Sequence, residues 1–334
     1  MKLATLKDST RDGRLIVVSR DLSIACEARS IAATLQRALD DWAATAPALG
    51  ELYARLNRGS VEEAVPFDSR RVMAPLPRAY HWADGSIYSH HAELMQWAFD
   101  SENKMDLTIQ EPKIYQGGSD DLSGCCDDIV AVDEAWGIDF EGEVAVITGD
   151  VRLQAQPSEA ESSIRLVMLA NDVSLRNLIP AELAKRFGFY QSKPSTSFSP
   201  VAVTPDELGG AWRDGLVHLP LRLDWNGVEF GRPNAGVGVT HNFFQLILHA
   251  AKTRNLCAGT IIGGGTVSNS DPAVGSACIA ERRAQERIVH GMPKTPYMKC
   301  GDRIRIEMLD ASGRSIFGAI DQTVVRFRWN GDRR

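Results

Sequence analysis

The segment Ile138-Asp139-Phe140-Glu141-Gly142-Glu143-Val144-Ala145-Val146 constrains this chain more than any other. Its alternation is that of a β-strand, in which successive side chains point to opposite faces. Glu141 and Glu143 then share one face, with Asp139 leading up to it, while Ile138, Phe140, Val144 and Val146 form the other. The apolar face demands burial. Two carboxylates about 7 Å apart beside a low-dielectric core repel each other. Solvent screens that repulsion if the acidic face lies on an exposed edge strand, which is the plain reading of Glu-x-Glu alone. A bound cation removes it if the face is buried, and carboxylate oxygens suit a hard ion such as Mg²⁺ or Ca²⁺.

Two further segments favour the cation. Leu166-Val167-Met168-Leu169-Ala170-Asn171-Asp172 reads as an apolar strand ending in an aspartate, a position from which a carboxylate reaches a neighbouring site. Tyr80-His81-Trp82-Ala83-Asp84-Gly85-Ser86-Ile87-Tyr88-Ser89-His90-His91 supplies another aspartate with imidazoles close by. Taken singly, an aspartate at a strand end is a cap or turn residue and a histidine is structural. Their force lies in combination.

The rest of the chain sets the frame. Arg14 to Val18 reads as a strand, Ser30 to Leu49 as a helix through Ile31, Leu35, Leu39 and Trp42, and Leu49 to Asn57 as a second, short helix. Met73-Ala74-Pro75-Leu76-Pro77 reads as an extended linker, so a small α/β unit over residues 1–72 is expected to precede a main unit over residues 73–330. The main unit carries short strands over Ile129–Val132, Ile138–Thr148, Ser163–Leu169, Val217–Trp225, Arg303–Leu309 and Val324–Trp329. One convincing helix, Asn242 to Arg254, lies among them. The expected fold class is therefore α+β and β-rich.

The net charge of −6 and the lack of any basic run argue against a nucleic-acid surface. The most apolar window, Phe243 to Ala251, is too short to span a bilayer, and the charged start holds no apolar signal core, so a cytoplasmic protein is expected. The six cysteines form no CxxC pair and suit a reducing compartment. Cys125 and Cys126 are adjacent, and two ordinary thiols account for them as well as a redox pair does. No P-loop, dinucleotide fingerprint, HExxH or Gly-x-Ser-x-Gly element competes with the acidic segments for function.

The ordered set of Asp84, His91, Glu141-Gly142-Glu143, Asn171-Asp172, Lys193 and Gly265-Thr266 resembles the fumarylacetoacetate hydrolase superfamily across most of residues 74–327. The resemblance implies a mixed β-roll or β-sandwich catalytic domain, normally a homodimer, working in tyrosine or other aromatic catabolism. It implies Asp84, Glu141, Glu143 and Asp172 as ligands of one Mg²⁺ or Ca²⁺, with Mn²⁺ a further candidate. It implies His91 as general base for water, Lys193 and Arg176 as cations facing developing negative charge, and Tyr115, Gly265 and Thr266 at the substrate, a small anionic diketo acid. Gly263-Gly264-Gly265 would let backbone approach that substrate closely, unless they are a plain turn.

The sequence departs from the family pattern in places. The acid that orients the base histidine is expected soon after a Gly-Ser pair, and here Glu281 follows Gly275-Ser276 two positions late. Glu281 either fills the role through a bulge or opens the charged run Glu281-Arg282-Arg283. Ile179 stands where the family has a glutamine. Residues reading the far end of the substrate are expected on loops such as 97–113. Hydrolysis of a carbon–carbon bond, as of fumarylacetoacetate to fumarate and acetoacetate, is the leading expectation. Decarboxylation, hydration or sugar-acid dehydration on the same fold is the enzymatic alternative, and a Ca²⁺-stabilised binding domain the non-enzymatic one.

Overall fold

The acidic strand is central, not an edge. In the computed structural model, which describes residues 1–98 and 111–328, Gly142–Thr148 lies between antiparallel Ile164–Asn171 and Ile261–Gly263. Every residue of this strand is buried, so neither face is washed by solvent. The exposed-edge reading of Glu141 and Glu143 is thereby overturned.

Among the described residues these strands belong to an 11-stranded sheet, in which Ser197–Phe198 pairs off the main path with Ile164–Asn171. Outward on one side of Ile164–Asn171 come Ala202–Val203, Lys2–Leu6, Arg14–Val18, Ile24–Glu27 and Val65–Pro66. On the other side, beyond Ile261–Gly263, come Trp82–Gly85 and Ile114–Gly117. A second, 5-stranded sheet runs Val228–Gly231, Leu221–Trp225, Arg303–Met308, Ile320–Arg326 and Ile129–Ala131. Phe140, Val144, Val146, Val167 and Leu169 pack against Leu221, Leu223, Ile304 and Ile306 between the two sheets. On the opposite face, Ala145, Ile147, Leu166 and Met168 join Leu35, Leu39, Leu49, Tyr53 and Leu56 of the N-terminal helices. The result is the β-rich α+β fold expected.

The N-terminal strands continue the main sheet: Lys2 pairs with Val203 and Leu3 with Ala202. The stretch read as a linker runs along them, with Met73 N donating to Thr5 O at 2.9 Å and Thr5 Oγ1 to Pro75 O at 2.6 Å.

The helix expected over 30–49 differs. Backbone groups of Ala28 and Ala33 bond Leu15 on the adjacent strand, at 3.0 and 3.1 Å, and are lost to a helix. Helix begins only at Leu35–Asp40, capped by Thr34 Oγ1, breaks at Asp41, and resumes as one unit over Trp42–Asn57. The Asn242–Arg254 helix is shorter, Phe243–Ala250, with Asn242 and Gln245 exchanging capping bonds at its start. Helices Ser89–Ala98 and Ile279–His290 were not expected, and both carry site residues. Most of the 97–113 loop lies outside the described residues.

Candidate active site

Glu141 and Glu143 stand on the helix-facing side of their strand, the side of Ala145 and Ile147. The glycine between them has a packing cause. A Cβ on Gly142 would lie 2.7 Å from Leu223 Cδ2 and 3.1 Å from Leu221 Cδ2 of the second sheet. Asp84 reaches the same place through another glycine. Gly263 pairs with Asp84 on one side and Ala145 on the other, and a Cβ there would fall 2.1 Å from Asp84 Oδ1. Gly265, at φ +83°, donates its N–H to the same oxygen at 3.1 Å. The glycine run was expected to let backbone approach the substrate. Its close approach in the structure is to Asp84. Thr266 follows, buried, on a segment that Val267 N ties to Gly142 O at 3.0 Å.

Asp172 follows the Ile164–Asn171 strand, and its N–H donates to Glu141 O at 3.1 Å. The strand register thus converges three buried carboxyls. One ligand oxygen each from Asp84, Glu143 and Asp172 lies within 4.8 Å of the other two.

The charges fall into two groups. Neither oxygen of Glu143 has a hydrogen-bond donor among the described residues, and the Asp84 carboxyl faces it. Burial raises both carboxyls well above the usual carboxylate range, helped by repulsion from Asp172 at Asp84 and from Asp84 and Asp172 at Glu143. Glu141 is the opposite case. Burial opposes its charge, but Lys193 Nζ at 2.6 Å on one oxygen and Arg176 Nη2 at 2.6 Å on the other hold its pKa at about 2. Asp172 accepts from Lys193 Nζ at 2.7 Å, Thr196 Oγ1 at 2.6 Å and Tyr115 Oη at 2.5 Å. Burial and the Asp172 charge keep the Tyr115 phenol protonated well beyond its usual range.

Asp84, Glu143 and Asp172 therefore fit a hard divalent cation, because they bring oxygen ligands together and one carboxylate has nothing else to satisfy it. Glu141, the fourth ligand expected, adjoins them with both oxygens on cationic side chains. Arg176, expected to face developing negative charge, is already paired. Its Nε donates to Asp139 Oδ2 at 2.8 Å, and its guanidinium is buried between Asp139 and Glu141.

Asp139 links this centre to the histidine. Its carboxylate accepts from the backbone N–H of Ile279 at 2.7 Å and of Ala280 at 2.9 Å, capping the Ile279–His290 helix. That cap sets Glu281 in the first turn, where its Oε1 meets His91 Nδ1 at 2.7 Å. A turn of helix, not a bulge, brings the late glutamate round to the histidine. Leu94, Met95, Cys278, Ala280 and Ala284 form the apolar packing between the two helices. His91 is also close enough to Glu141 for its charge to be felt there. Ile179 is buried at the start of helix Ile179–Ala184 and brings no polar group to the site.

Three supporting residues escaped the sequence reading. Thr196 is the hydroxyl on Asp172. Glu182 gathers the backbone N–H groups of Tyr190, Gln191 and Ser192 at 3.1, 2.7 and 3.1 Å, and the Ser192 hydroxyl at 2.5 Å, pinning the loop that carries Lys193. Gln322 accepts from Asn171 Nδ2 at 2.9 Å and Ser197 Oγ at 2.7 Å while donating to Asp127 O at 2.7 Å. Asn171 Oδ1 in turn receives the N–H of Glu141 at 3.0 Å. Asp139 was visible, since it alternates with Glu141 and Glu143, but its role as a cap was not. Beside Lys193, a cavity of about 250 Å³ is lined by Gln116, Asp120, Phe189 and Ser195 among others.

Two family models divide the chain between them. That of the fumarylacetoacetate (FAA) hydrolase C-terminal region matches residues 80–325, and that of fumarylacetoacetase N-terminal domain 2 matches residues 1–78. The chain belongs to the fumarylacetoacetate hydrolase family. A curated relative, 2,4-didehydro-3-deoxy-L-rhamnonate hydrolase of Sphingomonas sp. (strain SKA58), is 26% identical over 225 residues, 66% of this chain and 68% of the relative. Maleylpyruvate hydrolase from Sphingobium sp. SYK-6, solved with manganese(II) ion and pyruvate, superposes at TM-score 0.65 with 17% identity, covering 98% of this chain and 100% of that one. Fumarylacetoacetate hydrolase from psychrophilic Exiguobacterium antarcticum gives 0.62 and 17% over the same shares. At such identities these structures speak to the fold.

Proposed function

We propose that this protein hydrolyses a carbon–carbon bond in a small diketo acid, with Asp84, Glu143 and Asp172 holding a divalent cation, Mg²⁺ or Ca²⁺ by their oxygen chemistry, and Glu141 beside them. When bound, that cation supplies Lewis acidity toward a chelating 1,3-dioxo group. The observation that carries the reading is the His91–Glu281 contact of 2.7 Å beside this centre. A purely structural ion has no use for an oriented imidazole. Glu281 accepts the Nδ1 proton of His91 and leaves Nε2 as the basic nitrogen. His91 then takes a proton from water as the oxygen adds to the carbonyl next to the bond that breaks. Lys193, fixed between Glu141 and Asp172, holds positive charge where the departing carbon's electrons collect. Tyr115 keeps its proton and donates a hydrogen bond to Asp172, steadying that ligand.

The relative's name supports the substrate class, since a 2,4-didehydro-3-deoxy sugar acid is a diketo acid of the same 1,3-dioxo pattern. Fumarylacetoacetate leads the panel to be tested, with fumarylpyruvate, acetylpyruvate and a 2,4-dioxo-3-deoxy sugar acid beside it. Loss of the ultraviolet diketo-enol band is followed with Mg²⁺, Ca²⁺ or Mn²⁺ added or chelated. Two carboxylic acids should appear from at least one substrate, and chelation should stop the reaction reversibly. Metal-dependent release of CO₂ or water without chain cleavage would assign the site to decarboxylation or dehydration instead.

A further inference from the structure

Cys125 and Cys126 lie apart from the site, and their sulfurs stand 3.6 Å from each other. Cys125 is wholly buried, while Cys126 is partly open to solvent. The single Cys125 S–H donates to Ser69 O at 3.3 Å and, once Cys126 loses its proton, can turn to that sulfur instead; Ser69 Oγ lies 3.8 Å from Cys126 Sγ. Arg70 and Arg303 are within electrostatic reach of Cys126. We propose that this pair is a hydroperoxide-reactive dithiol, with Cys126 as the attacking sulfur and Cys125 as the resolving one.

The geometry divides the labour. The Cys125 hydrogen bond is the largest influence on Cys126 and lowers its pKa to about 7, against the opposing pull of burial, Asp321 and Asp127. The same contact and burial raise Cys125. The accessible sulfur is thus the one that ionises. Its thiolate attacks the distal oxygen of a hydroperoxide. An S–O bond forms, the O–O bond breaks, and the alkoxide leaves and takes up a proton as an alcohol. Cys125, losing its proton, then attacks the Cys126 sulfenic acid, so that the S–S bond forms and the S–O bond breaks with loss of water. Two thiols and one hydroperoxide become one disulfide, one alcohol and one water.

Closing the sulfurs to about 2.05 Å strains a segment tied to the Lys193 loop. Ser123 N donates to Thr196 O at 2.9 Å, Ser195 Oγ to Asp121 O at 2.6 Å, and Asp321 N to Cys125 O at 2.7 Å. Oxidation is therefore expected to slow turnover. That consequence rests on the proposed function, whereas the thiol chemistry does not.

The test treats the whole protein with limiting hydrogen peroxide and follows each cysteine by peptide mass. The peptide holding both residues should lose the mass of two hydrogens, reversibly with dithiothreitol. Cys126 should be oxidised ahead of exposed Cys257, since the contact with Cys125 favours the Cys126 thiolate. Cys125→Ser should stop at a sulfenic acid trapped by dimedone, and Cys126→Ser should leave the segment unreacted. Equal or faster oxidation of Cys257, or over-oxidation of Cys126 without the disulfide, overturns the proposal, and both are read on the wild-type chain. A disulfide that forms while diketo-acid turnover is unchanged overturns the link to the Lys193 loop alone.

Discussion

Replacing Glu143 with glutamine removes a buried carboxyl whose charged form has no hydrogen-bond donor among the described residues, while keeping the side chain's volume. In the absence of metal, where burial already favours the neutral carboxyl, the exchange should leave the melting temperature nearly unchanged. The same exchange should abolish the rise in melting temperature that Mg²⁺ or Mn²⁺ gives the wild type. Thermal melts with metal and with chelator check both halves, and an unchanged metal response in Glu143→Gln would remove Glu143 from the ligand set. His91→Ala is expected to cut kcat by about 10²–10⁴, the range for a lost general base, with little change in melting temperature. Glu281→Gln should lose less and should shift the pH profile of kcat/KM, because it leaves the imidazole in place with a weaker partner. Full activity in His91→Ala would end the base assignment.

At the scale of elements, the site's loops and helices are held by carboxylates outside the proposed ligand set. Burial works against the charge of Glu182, yet four hydrogen bonds hold its pKa at about 2, below the ordinary 4.5. A carboxyl lowered on folding adds stability above its unfolded pKa and loses it as pH falls through the folded one. The gap in melting temperature between wild type and Glu182→Gln should therefore be constant above pH 4.5 and close as pH falls toward 2. At neutral pH the loss should be at least about 1.5 kcal/mol, the lower figure for one bond to a charged acceptor. A gap that widens in acid would contradict the assignment.

Elements of this kind mark the limit of what the sequence disclosed. The strand carrying Glu141 and Glu143 was legible because an alternating pattern forces one register. Asp84, Asp172 and His91 were legible through their order. The helix Ile279–His290 was not, because only Ile279, Ala280, Glu281 and Ala284 are buried, and its remaining apolar residues, Ile288 and Val289, face outward beyond a charged run. Cys278 caps it locally, but its first two N–H groups go to Asp139, 140 positions from Ile279, which no local pattern records. Gln322 is illegible for the same reason.

For the molecule as a whole, the shared sheet decides what can be cut away. Removing residues 1–78 would bare the edge of Ala202–Val203 and the apolar face of Ala145, Ile147, Leu166 and Met168. Unpaired strand edges and exposed apolar patches favour aggregation. The fragment beginning at residue 79 should therefore be insoluble or lack a cooperative melt, as expression followed by calorimetry would show. A soluble fragment with a sharp transition would mean that the N-terminal strands are an appendage.

Gln322 belongs to the second sheet, while Asn171 and Ser197 belong to the first. Elsewhere these sheets meet through hydrocarbon, which resists separation but only weakly resists sliding. The amide of Gln322 is a dowel through that greasy joint. Its bonds tolerate offsets of tenths of an ångström before they fail. Through Asn171 the alignment of the C-terminal strand is handed to the backbone of Glu141. The site's tolerances are thus machined partly from outside it, and drift in the distant sheet becomes misalignment among the carboxylates.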